Sequence, residues 1–187
     1  MNAKAGPTLV ETWFGPAFAR LHPRLQRLHR RDGTLRGPVE VRVATGVGRL
    51  FGERMRRRLG LPQPGPGHEL EVRVGHDDQR MLWQRRFDGQ GAFASHFIPV
   101  GRFPEGWWRE TSGALELHLQ VHLDHDGGWH WRTRRVLWRG WPVPRVLLPR
   151  VVAHKRWERG AYDFAVSVRV PVLGEVVGYT GRLQFVD

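Results

Sequence analysis

The sequence predicts a mainly β (α+β) fold: an antiparallel meander of about eight or nine strands forming a lipocalin-like barrel or half-barrel. Three observations carry this. From His68 onward, short runs of alternating apolar and polar residues follow one another with only turn-sized gaps. Helical periodicity is confined to the first third of the chain. After His68 no segment between strands is long enough for the helical crossover that parallel strands require. The alternative is a curved open sheet over a helix, START-like, but such folds end in a long helix and this chain ends in a strand. With 187 residues and no linker, residues 1–187 read as a single domain.

Residues 11–31 read as helical, with Phe14, Phe18, Leu21, Leu25 and Leu28 on one side, Thr12 as the cap and Pro23 dividing the helix in two. Asp32-Gly33 turns into a first strand over 36–45, where Val39, Val41 and Val43 alternate with Glu40 and Arg42. Residues 47–59 form an amphipathic helix, with Val47, Leu50, Phe51, Met55 and Leu59 inward and Arg49, Arg54, Arg56 and Arg57 outward or lateral. The proline- and glycine-rich stretch 61–67 ends it.

Strands occupy 68–187. Leu70, Val72 and Val74 share a face, as do Met81, Trp83, Arg85 and Phe87, then Phe93, Ser95 and Phe97. A shorter piece covers 107–110. Leu115, Leu117, Leu119, Val121 and Leu123 point inward; if Leu123 pairs with Trp129, then Trp131 and Thr133 join that face and His122 lies opposite His130. Tyr162, Phe164, Val166, Val168 and Val170 form the best-patterned strand. After the Pro171–Gly174 turn, Leu173, Val177, Tyr179, Leu183 and Phe185 complete a closing hairpin.

Lys plus Arg number 30 against 18 Asp plus Glu, a net charge of +12. Such a balance suits phosphate, nucleic acid or an anionic membrane. The arginines are scattered through strands and helices, as on a solvated surface, and no nucleic-acid module is recognisable, so nucleic acid is disfavoured while peripheral membrane contact stays open. There is no cysteine, which excludes disulfides, thiolate metal sites and a cysteine nucleophile. The first residues hold no apolar signal region and no run reaches membrane-span length, so the expected location is cytoplasmic.

Gly46-Val47-Gly48-Arg49-Leu50-Phe51-Gly52 follows a strand and opens a helix, as dinucleotide-binding loops do, but its spacing is G-x-G-x-x-x-G and no βαβ succession follows. His118 and His122 lie about 13 Å apart along one strand and cannot share an ion. Only the cross-strand pair His122 and His130 is left as a weak metal candidate, on an outward face. No G-x-S-x-G elbow is present. Arg85 stands out because alternation puts it on the face of Trp83 and Phe87. A guanidinium on an interior face must be paired. Glu175, on the face of Leu173 and Val177, and Glu110, on that of Trp108, are the candidate partners; Arg135, in register with Leu117, raises the same question.

Several motifs occur in characteristic order: Phe14-Gly15-Pro16 with Leu21-His22-Pro23; Leu59-Gly60-Leu61-Pro62; Trp83-Gln84-Arg85-Arg86-Phe87 with Phe93-Ala94-Ser95; Gly140-Trp141-Pro142-Val143-Pro144 with Leu148-Pro149-Arg150; and Tyr162-Asp163-Phe164, Leu173-Gly174 and Tyr179-Thr180-Gly181. Over nearly its whole length the chain resembles the bacterial family known as domain of unknown function 4166. The resemblance gives no catalytic residue to carry over and leaves the cofactor unknown. It implies occurrence alone or joined to a dehydrogenase-like domain, hence a possible dehydrogenase-like partner. It also implies an acid near the position of Lys155 and an apolar residue near Glu175, so this chain departs from the pattern at both.

The expected function is therefore a binding module. Its barrel interior, lined by Trp83, Phe87, Phe93, Leu117 and Tyr179, takes a small apolar or amphipathic molecule oriented by Arg85, with Glu175 as the partner of that arginine. The alternatives are an enzyme or accessory domain acting with a dehydrogenase-like partner, and a membrane-surface binder using Arg49, Arg56 and Arg57.

Overall fold

A computed structural model of the protein describes residues 6–112, 114–144 and 150–186. Eleven strands follow two N-terminal helices, with a third helix after the first strand. The helices are α1 (Leu9–Phe14), α2 (Pro23–Arg30) and α3 (Arg49–Arg58), and short 3-10 turns cover Gly15–Arg20 and Gly46–Gly48. The strands are β1 (Gly33–Val43), β2 (Gly65–His76), β3 (Met81–Phe87), β4 (Gln90–Val100), β5 (Trp107–Ser112), β6 (Leu115–Leu123), β7 (Trp129–Trp138), β8 (Trp141–Pro142), β9 (Arg150–Glu158), β10 (Ala161–Val170) and β11 (Gly174–Val186). Among the described residues no helix is long and apolar enough to cross a membrane.

Ten of these strands close a barrel. Each pairs antiparallel with its neighbour from β1 to β7; β7 then pairs with β9, and β11 returns to β1. The two-residue β8 hangs on β7 outside the ring. The sequence-based strand count falls short mainly at β9, whose arginine and lysine mask an alternating pattern. The open sheet over a helix is not formed.

The first helix is capped by Thr8 rather than Thr12. Thr8 Oγ1 accepts from the Glu11 backbone N–H while the Glu11 carboxylate accepts from the Thr8 N–H, the reciprocal capping box of a T-x-x-E sequence. Helical character breaks before Pro23, which opens α2.

Because β1 joins α2 to α3, the two helical segments sit at opposite ends of the barrel. The α1–α2 end is tied down by backbone bonds from His22 N to Gly127 O (3.0 Å) and from Phe103 N to Trp13 O (3.0 Å).

The seam between β1 and β11 is tight. A Cβ at Gly37 would lie 2.3 Å from the Arg182 carbonyl oxygen, and one at Gly181 would lie 2.4 Å from that of Pro38. Both positions therefore need glycine for close backbone approach. Gly181→Val is expected to lower stability by about 1–3 kcal/mol, read as a Tm fall of roughly 2–4 °C per kcal/mol. Gly75→Val, in open space on β2, serves as the neutral control; equal melting of the two variants would refute a tight seam.

Candidate functional site in the barrel interior

A barrel of about eight strands has an interior that side chains fill or that holds one small ligand. Ten strands enclose more, and here the two ends differ. At the α1–α2 end, Phe14 stacks on Trp129 with centroids 5.1 Å apart, and Trp13 meets Trp108 edge-on at 5.3 Å. Leu25, Leu28 and His29 of α2 complete this plug. Toward the α3 end lies a cavity of about 140 Å³, with Met55, Leu59 and Leu61 contributing to its wall.

The wall is apolar and aromatic, interrupted by two cations. Lys155 projects from β9, with only 7% of its surface exposed. Its Nζ lies 3.6 Å from the centre of the Trp83 ring, 4.8 Å from Trp131 and 5.3 Å from Trp129. Among the described residues it has neither a hydrogen-bond nor an ion-pair partner. The Arg85 guanidinium sits 5.7 Å from the Trp83 ring and 5.6 Å from Phe93, and Nη1 donates to Ser95 Oγ at 3.0 Å.

Electrostatics separates these two groups. Burial holds the Lys155 amine well below its ordinary value; the Arg85 charge acts in the same direction and Glu110 opposes it. Attraction to aromatic faces is worth up to about 2 kcal/mol when desolvated, whereas burying an ion costs several kcal/mol. Burial therefore favours the neutral form of the amine. Arginine cannot follow, since its guanidinium stays charged in proteins.

Burial also raises the phenols of Tyr162 and Tyr179, with Arg85 opposing in both cases. The Tyr162 hydroxyl is buried with no partner among the described residues. His29, wholly buried in the plug, is pushed well below its usual value first by burial, then by His76 and Lys155.

Trp83, Arg85, Phe87, Phe93, Leu117 and Tyr179 all line the cavity, as does Glu110. Glu175 does not. Its carboxylate accepts from Ser167 Oγ (2.7 Å) and Arg42 Nε (3.2 Å). The cause is a β-bulge: Val168 pairs with Val177 but Arg169 pairs with Glu175, leaving Val176 as the extra residue and turning Glu175 out of the alternation. A second bulge moves Arg135 opposite His118 and places Val136, not Arg135, opposite Leu117. Arg85 thus faces the cavity without a carboxylate partner among the described residues.

His122 and His130 do face each other, rings stacked at 5.1 Å, and His130 Nδ1 is 2.8 Å from Asp124. No group of three potential ligands occurs among the described residues. The Gly46–Gly48 turn leads into α3 beside antiparallel strands only, so it forms no dinucleotide loop.

A family model described as a domain of unknown function (DUF4166) matches residues 21–183. The chain belongs to that family. No curated protein matches it. Of the motifs that carry the resemblance, Trp83 to Phe87 is β3 and supplies the cavity with Trp83, Arg85 and Phe87. Leu148 and Pro149 lie outside the described residues.

Sequence reasoning missed the interior position of Lys155. The signal was the alternation of Val151, Ala153, Lys155 and Trp157 with Val152, His154 and Arg156, pairing on β10 as Ala153 to Val166 and Lys155 to Phe164.

The buried amine makes a stability signature. In the unfolded chain Lys155 titrates near its ordinary 10.5, and in the folded protein well below. Between those values unfolding takes up a proton, so stability rises with pH. Lys155→Met is expected to flatten that rise in denaturant melts up to about pH 9, below the ordinary range of the tyrosines. An unchanged slope would show that the amine stays charged in the fold.

Proposed function

We propose that this protein binds a small amphipathic molecule inside the barrel, its apolar body among Trp83, Phe93 and Trp131 and its anionic head on Arg85. The observation that carries this is a guanidinium with no carboxylate partner among the described residues, aimed into a cavity lined mainly by apolar and aromatic side chains. A cavity of about 140 Å³ compares with the engineered apolar cavity of about 150 Å³ that admits benzene. The ligand body is accordingly ring-sized, and anything longer passes Met55 and Leu59 toward the α3 end. The unpartnered Tyr162 hydroxyl supplies a second polar contact.

Benzoate and benzyl alcohol share a ring and differ in charge, so titration calorimetry with both isolates the role of Arg85. Arg85→Leu is expected to weaken benzoate by about ten- to a hundredfold, the worth of a hydrogen bond to a charged group, and to leave benzyl alcohol nearly unchanged. Equal effects on both ligands, or no binding by wild type, would overturn the reading. Native mass spectrometry of the purified protein tests for a co-purified molecule.

The surface of α3 favours a second reading, docking of this barrel end on an anionic bilayer. Val47 is 92% exposed and Leu50 82%, with Phe51 beside them and Val172 on the neighbouring turn. Arg49, Arg54, Arg57 and Arg58 are exposed on the same helix, and Arg58 reaches over Trp138, next to the exposed Trp141. Arg56 does not belong to this surface: it is buried, bonded to Glu53 (2.8 Å) and the Leu61 carbonyl (2.8 Å). Apolar side chains ringed by arginine match an anionic lipid surface. Co-sedimentation with phosphatidylglycerol vesicles, but not with phosphatidylcholine vesicles, is expected, and Leu50→Glu with Phe51→Glu should abolish it. Equal sedimentation with both lipids, or none, would exclude this docking.

A further inference from the structure

The binding reading leaves Lys155 without a task, although it is the most unusual group in the cavity. Of the 30 basic residues, 28 are arginine and two, Lys4 and Lys155, are lysine. The one lysine among the described residues sits at the one interior position of β9 where the amine meets several aromatic rings. An arginine there would carry its charge permanently. A lysine need not.

We propose that Lys155 is a nucleophile that captures the carbonyl group of a small apolar aldehyde or ketone as an imine. This deepens the cavity-binding reading and rests on it. The geometry supplies three requirements. The amine lines the cavity rather than the barrel exterior. It is tied up by neither a hydrogen bond nor an ion pair among the described residues, so its lone pair is available. Its neighbours Trp83, Trp129 and Trp131 make the surroundings apolar, which favours the neutral amine and, once water leaves, the imine.

The charged and titratable groups facing this region come from five elements: Arg85 on β3, Glu110 on β5, Tyr162 on β10, Tyr179 on β11 and His29 on α2. Arg85 disfavours a second positive charge nearby, and Glu110 is the carboxylate that moderates it.

The step balances without any further reagent. The Nζ lone pair adds to the carbonyl carbon, and the C=O π electrons pass to oxygen, which takes up a proton shed by nitrogen to give a carbinolamine. That oxygen leaves as water with the second nitrogen proton, and the C=N bond forms. A carboxylate on the same molecule falls to Arg85, since its guanidinium and the Lys155 amine lie 5.7 Å and 3.6 Å from the centre of the same Trp83 ring.

The test incubates the full chain with benzaldehyde and sodium cyanoborohydride near pH 7, followed by peptide mapping. Lys155 is expected to become benzylated at least tenfold faster than Lys4, since an ordinary lysine amine is mostly protonated at that pH. Benzyl alcohol, which has no carbonyl, is expected to protect Lys155 and to perturb tryptophan fluorescence without any adduct. Lys155→Met, checked for folding by circular dichroism, should lose the fast adduct; if that variant does not fold, the ratio of Lys155 to Lys4 in wild type decides alone. Should benzyl alcohol bind while Lys155 reacts no faster than Lys4, imine capture is overturned and the binding reading stands. Should benzyl alcohol not bind and no adduct form, both are overturned.

Discussion

The seam where β11 returns to β1 is the constraint on which the interior depends. With Gly37 and Gly181 allowing the two backbones to touch, the sheet has no free edge at this point and the barrel is closed. Closure creates a compartment from which bulk water is largely shut out, and charge is costly there. An exposed lysine on an open sheet would be an ordinary cation. Enclosed beside Trp83, Lys155 is not. In the same enclosure the Arg85 guanidinium takes Ser95 as its partner. One compartment thus holds two basic residues, a guanidinium bonded to Ser95 and an amine that burial pushes toward its neutral form.

The helices decide where within the barrel that chemistry is placed. Aromatic side chains each bury on the order of 150–250 Å², and the plug concentrates Trp13, Phe14, Trp108 and Trp129 at one end. That end is solid, with His29 held neutral inside it. The α3 helix places no apolar side chain in the fully buried core, and it and the turn before it leave Leu50 and Val47 in solvent, so this segment caps rather than plugs. Met55 and Leu59 form the part of the cavity wall that lies at the α3 end.

Alternation made much of this legible beforehand. The inward sets on β2, β3, β4, β6 and β10 are those the apolar-polar period names, and the Leu123–Trp129 and His122–His130 pairings follow from it. Six cavity residues were identifiable because each lies in a stretch of strand where the alternation holds locally. Where the period breaks, reading failed. The bulge at Val176 expels Glu175, and the irregularity between His118 and Leu119 turns Arg135 outward. A one-residue slip inverts every later side chain, and nothing in the local residues marks where it falls. On β9 the failure was the reverse: a regular alternation was obscured because a lysine occupies an apolar slot.

By itself, then, the sequence determined the mainly β class, the antiparallel order and the inward face of each regular strand, because these depend on local spacing and turn chemistry. It also determined that Arg85 faces inward. Tertiary structure alone decided that ten strands close, that Glu110 and not Glu175 reaches the interior, and that Lys155 stands among tryptophans drawn from β3 and β7. Those outcomes depend on bulges and on contacts between residues distant in the chain. The ionisation of a buried amine belongs with them, since it is set by what surrounds the group and not by the residue itself.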